Sequence, residues 1–427
     1  MASQESSKAK LDQEAINLTA SQAATTAYSG SRAEMQTDDG SDRASRASMY
    51  TYTSGDANHF KKEEDGRLWN ILNNSYFMPT DDEEWARLNK QHVALVLGLG
   101  DLYPEPETVR AILAPVEGET KRILDLGCGS GVWTIAMAKK FPHAQVIGVD
   151  LAPTPVDMDS LPPNCSFEID DINPGLPHYE GKFDIVHCRI IGAGLQDRVQ
   201  AKTFVQECLK PGGMLIWMDV DYDLIAENMD DYEQRASEKH AGGSWCARML
   251  YDMSQAVLSA SANDLTIMGD IIDEGFWADP LMDPETCRTA SLYIPVGPWV
   301  EDRIPEQLQR LRYMGALMRQ DVSNGVWTFH PLLKRAGFRE ETLKEWSTKA
   351  DAEMANLTTR MWSRWMVTWG RRRSPDAGPA PGTTPVNSKD EHFAAPYPYL
   401  VCYSSRDEAL AASMRRRQLR AAIPSVL

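Results

Sequence analysis

Five short apolar runs, each closed by a polar or glycine-rich break, mark out the middle of the chain: Arg122–Leu126, Val146–Val149, Ser166–Ile169, Phe183–Arg189 and Met214–Met218. Their length and apolar character predict buried parallel strands. Between the first two, Val132–Phe141 carries apolar positions at helical spacing. Phe204–Leu209 closes another helix before Lys210, Pro211, Gly212 and Gly213 turn the chain. Strand and helix patterns that alternate in this way predict an α/β fold with a doubly wound, mostly parallel sheet, whose ligands settle at the carboxyl ends of the strands.

On the N-terminal side, Phe60–Leu72 and Asp81–Leu99 read as two helices that form a helical cover over residues 58–115. Thr80 caps the second, with Glu83 as its capping-box partner, and Leu88, His92, Leu95 and Leu99 recur on one face. From Tyr222 to about Gly325 the periodicity is helical, and the length suits an inserted lid (222–325) that selects substrate and excludes water. It holds Trp245, Tyr251, Met253, Trp277, Tyr293 and Trp299, which serve as core or as acceptor-pocket lining. Trp362, Trp365 and Trp369 form an i, i+3, i+7 stripe that reads as packing. Residues 1–57 are rich in Ser, Ala, Thr, Gln and Asp, and are expected to be a disordered arm. The Pro- and Gly-rich stretch 374–394 is expected to be a flexible loop, and 405–427 a basic helix or tail.

Composition narrows the function. Across 427 residues the net charge is −17 and the isoelectric point near 5.0, which disfavours a broad nucleic-acid surface. Seven cysteines without a CxxC pair suggest neither a zinc site nor a disulfide framework, and fit a reduced compartment. The longest apolar run, Val93–Leu99, is too short to span a bilayer, and the polar N-terminus carries no leader pattern, so a soluble cytoplasmic protein is expected.

The candidate chemistry sits at the end of the first run. Gly127, Gly129 and Gly131 follow Asp125, in a turn where backbone must take positive φ or let a ligand approach closely. A dinucleotide fingerprint would place its third small residue where Val132 stands, and a pyrophosphate would be repelled by Asp125; a ligand with an amino group and a sulfonium would be attracted. Asp150, nineteen residues past Gly131, ends the second run and suits the two hydroxyls of a ribose, with Leu151 beneath the sugar.

These motifs resemble the class I S-adenosylmethionine-dependent methyltransferases, whose first motif reads acid-x-G-x-G-x-G. A narrower resemblance, to the fungal LaeA-like methyltransferases, rests on Tyr76 to Pro79, Asp82 to Glu84, Arg87-Leu88 and Gln91-His92, and covers about residues 58–404. It implies a seven-stranded sheet, S-adenosyl-L-methionine as cofactor and no metal. Tyr76, Arg87 and His92 would face the cofactor, although a helical Arg or His also serves as a core or surface partner. Asp171 would accept from the adenine amino group and the Ile172 amide would address the ring; the alternative is a plain turn at Asp170-Asp171.

His187, in Phe183–Arg189, resembles the family's F-D-x-[VIL]-H-x-R strand and is the candidate for contact with the methionine end or for a general base; the alternative is a hydrogen-bonded strand-end histidine. Asp219, Asp221 and Asp223 alternate in a way that would suit a divalent cation, a reading the resemblance disfavours. Pro331–Phe338 resembles the helix before a sixth strand over Arg339–Glu345, and Pro398–Tyr403 an antiparallel edge strand. Transfer to an oxygen or nitrogen of a small molecule in fungal secondary metabolism is the leading expectation. The rival is a nuclear regulator acting through protein partners, for which Arg371–Arg373, Arg415–Arg417 and Arg420 would be an address; a nicotinamide dehydrogenase is disfavoured by the glycine spacing.

Overall fold

A computed structural model of the chain describes residues 60–64, 66–74, 76–237, 240, 242–261, 263–374 and 399–423. The arm expected over 1–57, and the loop expected over 374–394 beyond Ser374, lie outside them. Strands β1 (Lys61–Glu64) and β2 (Arg67–Asn70) pair antiparallel, in place of the helix expected over Phe60–Leu72. Asp65-Gly66 in the sequence is a hairpin signal, and Gly66 takes φ +73°. Helix α1 (Asp82–Leu99) is capped by Asp81 rather than Thr80: its carboxylate accepts from the Glu84 amide at 3.1 Å and is gripped by Arg67 of β2 at 2.5 and 2.9 Å. The hairpin thereby moves the cap one residue on.

Helix α2 (Pro106–Ile112) precedes β3 (Arg122–Leu126), α3 (Val132–Lys140), β4 (Gln145–Asp150), β5 (Cys165–Ile169) and β6 (Phe183–Arg189). Then come α4 (Arg198–Glu207), β7 (Leu209–Val220) and the short β8 (Ile225–Ala226). Lys210–Gly213 falls inside β7, where the pairing with β6 slips. The chain continues through α5 (Trp245–Ser261), α6 (Leu265–Glu274), β9 (Met282–Pro295), α7 (Pro305–Thr328), α8 (His330–Arg335) and α9 (Glu340–Asn356). It ends in β10 (Met361–Arg372), β11 (Leu400–Tyr403) and α10 (Arg406–Ala421).

The sheet runs β11-β9-β10-β7-β6-β3-β4-β5, with β8 beside β10, so among the described residues it holds nine strands where seven were expected. Strands β3 to β7 are parallel; β10 is antiparallel to both β7 and β9, and β11 is the expected antiparallel edge. Of three corrections here, the first and the last share one cause. The segment 222–325 is not a wholly helical lid, since β9 within it is an inner strand of the sheet; Arg339–Glu345 opens helix α9; and the tryptophan stripe, packed inside as expected, lies on strand β10 rather than on a helix. A strand buried on both faces loses its period-two alternation. In β10 every residue from Met361 to Gly370 is buried, and in β9 the buried Thr289 and Ser291 interrupt the apolar run.

Polar groups inside this half of the sheet are paired. Arg364 of β10, 1% exposed, donates to Asp273 at 2.9 and 3.1 Å, to Asp221 at 2.8 and 3.1 Å, and to Ser291 at 3.2 Å. From α10, Arg416 reaches Asp273, Arg420 reaches Asp221 and Asp223, Arg417 reaches Asp270 and Glu274, and Arg415 reaches Asp230. Arg371 and Arg372 donate to the carbonyls of Gly212, Glu207 and Leu209. The terminal arginines that read as a free basic patch are thus neutralised by acids of the body. The sheet order reverses between β3 and β6, which opens a crevice at their carboxyl ends.

Candidate active site

A cleft of about 1550 Å³, its mouth included, occupies that crevice. Its floor is the turn after β3. The Gly127 and Cys128 amides both donate to the Val149 carbonyl at 2.8 and 3.0 Å, and the Gly129 amide donates to Asp150 Oδ2 at 2.7 Å. All three glycines take φ between +54° and +73°. At Gly127 a Cβ would stand 2.3 Å from Ile191 Cγ2, so no side chain fits between the turn and the strap that follows β6.

Asp150 is half-buried at the cleft floor, and its desolvation there pushes its carboxyl up to about 6 against the pull of the Gly129, Ala152 and Leu151 amides. Asp170 is likewise raised to about 6 by burial; its Oδ2 lies 3.3 Å from His178 Nε2 without hydrogen-bond alignment. Asp171 accepts from Asn173 through Oδ1, and none of the hydrogen bonds among the described residues uses its Oδ2. The tips of β3, β4 and β5 therefore converge on one wall, where Gly127, Gly129, Asp150, Leu151, Asp171 and Ile172 all line the cleft.

The opposite wall comes from the N-terminal cover. Tyr76 and Arg87 line the cleft, together with Thr80 and Trp85, whose hydroxyl and indole N–H have no hydrogen-bond partner among the described residues. Arg87 is bidentate to Glu84 at 2.8 and 2.5 Å and reaches Asp321 of α7 at 2.7 Å, with Gln91 on the same carboxylate. Ser130 donates to Asn89 at 2.8 Å, fastening α1 to the glycine turn.

Four expected residues stand behind the wall. Asp125 has both oxygens engaged, accepting from Thr134 at 2.6 Å and from His187 Nδ1 at 2.7 Å. His187 stacks on Trp133 at 3.8 Å and 8°; burial, opposed by Asp125 and aided by Arg189, holds its pKa down. With Nδ1–H on Asp125 the ring is a neutral strut inside the sheet, 4% exposed, and it does not line the cleft. Gly131 caps α3, and His92 sits beneath Arg189.

The sequence reading missed the strap Ile190–Leu195. Ile190 takes φ +57°, the Gly192 amide donates to Asp219 Oδ2 at 3.0 Å, and Asn73, Asn173 and Asn263 donate to strap carbonyls. The close pair Gly192 and Gly194 was the available signal. Beyond the strap the cleft opens into an apolar chamber walled by Phe77, Leu224, Leu250, Val322, Phe329 and Trp365. Asp219, Asp221 and Asp223 do not converge on a common point. The first holds Gly192, the second Arg364 and Arg420, and the third Arg235 and Arg420. Against burial, Arg420 and Arg364 keep the Asp221 carboxyl well below the usual range.

In the cleft wall, six carboxylates (Glu84, Asp150, Asp170, Asp171, Asp221, Asp321) face two guanidiniums, Arg87 and Arg189. Such a wall suits a ligand with net positive character and hydroxyls to donate. The residues present therefore fit a nucleoside carrying a sulfonium and an amino group: a backbone cradle too tight for a Cβ, an acid for the ribose, and acids and orphaned donors beside it. No helix among the described residues is long and apolar enough to cross a membrane.

A methyltransferase-domain family model matches residues 117–266. A Coprinopsis cinerea protein named as a secondary metabolism regulator laeA is 30% identical over 315 residues, covering 74% of each chain. The Emericella nidulans protein-methionine methyltransferase laeA is 26% identical over 270 residues, 62% of this chain and 65% of that one. Methyltransferase str2 of Strobilurus tenacellus is 32% identical over 156 residues; this is 36% of the chain, and the match spans about half (52%) of that relative's length.

Proposed function

Since the chain belongs to the S-adenosylmethionine-dependent methyltransferases related to the fungal LaeA proteins, we propose that it methylates an oxygen or nitrogen of a small molecule in fungal secondary metabolism. The observation that carries this reading is the continuity of one cleft, in which the acid-tipped nucleoside wall, the strap and the apolar chamber line the same space. S-adenosyl-L-methionine would supply an already activated methyl group. The chain's own contribution is then positioning: Asp150 for the ribose, Asp171 and Ile172 for the adenine, the glycine turn for close approach, and the chamber to hold the acceptor in line and exclude water. Incubation of the protein with isotopically labelled donor and fungal extract should place the label in a small-molecule product. Absence of donor binding in isothermal titration at millimolar concentration would contradict the reading.

The length of the match to the Coprinopsis regulator supports a second reading, in which the protein acts mainly through protein partners. Label appearing only on protein, or a cellular phenotype that survives loss of donor binding in Asp150→Asn, would favour it.

Donor affinity should also follow the Asp150 carboxyl. Because its pKa in the free protein is about 6 and the ribose hydroxyls donate to the ionised form, protonation competes with binding. Affinity is expected to be full above pH 7 and to fall as the pH drops through 6, by up to about tenfold per unit. In Asp150→Asn that slope should shrink to the share of Asp170, which titrates in the same window. A titration series from pH 5 to pH 8 reads both.

A further inference from the structure

The two guanidiniums of the cleft wall are not equivalent. Arg87 is neutralised by Glu84 and Asp321. Arg189, at the carboxyl end of β6, has no carboxylate within ion-pair distance among the described residues; the hydrogen bond it makes there is from Nη1 to His92 Nδ1 at 3.2 Å. A guanidinium only donates, so His92 Nδ1 must present a lone pair and the ring is neutral. Burial, with the charge of Arg189 beside it, keeps the His92 pKa well down. Asp125 is the carboxylate whose field Arg189 feels, and it is already occupied by Thr134 and His187. Arg189 is thus a cleft-lining cation supported by a neutral imidazole, in a wall otherwise dominated by acids: half of an ion pair whose other half is missing from the protein.

Its place in the sheet says which anion would complete the pair. The parallel register sets Asp125 beside His187 and Leu126 beside Cys188, so the next step brings Arg189 alongside Gly127. Asp150 ends β4, on the far flank of β3. The ribose acid and Arg189 are therefore separated by two strand spacings, roughly 10 Å, with the glycine turn between them. Resting on the methyl-donor reading above, we propose that Arg189 anchors the α-carboxylate of the donor's amino-acid end, a role for which the planar fork of a guanidinium is matched to a carboxylate. His92 is then a positioning residue, which holds one arm of the fork and leaves the rest for the ligand.

Three probes test this on the full chain by isothermal titration: S-adenosylhomocysteine, its decarboxylated analogue bearing a 3-aminopropyl group, and 5′-methylthioadenosine. The wild-type protein should bind S-adenosylhomocysteine about 100-fold more tightly than the decarboxylated analogue, ~2.7 kcal/mol. Arg189→Met should collapse that preference to less than about threefold, by weakening S-adenosylhomocysteine alone and leaving 5′-methylthioadenosine unchanged; Arg189→Lys should restore part of it. Lack of discrimination by the wild type overturns the proposal without any variant. Equal weakening of all three probes by Arg189→Met also overturns it, because that is the signature of a purely structural role. Failure of the wild type to bind any of the three sinks the methyl-donor reading itself, and the proposal with it.

Discussion

Arg364→Ala should lower the melting temperature by roughly 5 °C, the largest loss of stability expected from a single substitution in this chain. The guanidinium is 1% exposed and holds two buried carboxylates, Asp221 and Asp273, through both faces of its fork. Truncation leaves those charges in the interior with only Arg420 and Arg416 of the terminal helix to answer them. Removing one partner of a buried ion pair costs ~3–5 kcal/mol, because the remaining charge stays buried with less compensation and cannot return to water. Arg364→Lys keeps the charge but not the fork, and should fall between the two. The effect should also reach the active site, since Asp221 and Tyr222 line the cleft. Thermal unfolding of the three proteins, with donor affinity measured alongside, reads both consequences; a wild-type melting temperature for Arg364→Ala would show that the terminal arginines alone suffice.

Gly127→Ala should weaken donor binding by about two orders of magnitude or more, ~2.7 kcal/mol. Two penalties coincide there. The residue takes φ +70°, a conformation costing an L side chain roughly 1–2 kcal/mol, and the new Cβ would meet Ile191 Cγ2 at 2.3 Å. Ile191 belongs to the strap that faces the cleft, so relief of the clash displaces the surface the donor rests on. Gly118→Ala separates the penalties. It has a similar φ of +79° but no heavy atom within 4 Å of the added Cβ, so it should cost stability alone and leave affinity at the wild-type value. Equal affinities for the two variants would mean that the turn does not contact the ligand.

The motif that points to the donor was legible because its chemistry is local. Asp125, three alternating glycines, Asp150 and Asp171 each sit at a strand end, and a strand end followed by glycine reads the same in sequence as in space. What the motif could not convey was direction. Asp125 looked like a ligand-facing acid, yet the register of β3 against β6 turns it onto His187, while α3 returns Thr134 to its other oxygen. Arg189, two residues beyond His187, carried no local mark as a cleft residue. Its unpaired state becomes visible only when α1, nearly a hundred residues earlier, brings His92 beneath it.

The five apolar runs, their intervening helix and the acid-tipped turn follow from short-range periodicity and turn chemistry, and these suffice for a parallel α/β sheet with a nucleoside crevice. The placement of β9 and β10 does not follow in the same way, because strands covered on both faces lose alternation and can bury Thr289, Ser291 and Arg364 among apolar neighbours. The same holds for the terminal arginines. Read along the chain they form an unopposed basic run; in the folded molecule Asp221, Asp223, Asp270 and Asp273 reach them from well over a hundred residues away. Charge compensation acts through space between distant segments, so the fold alone decides whether an arginine is a free cation, a structural pin or a ligand anchor.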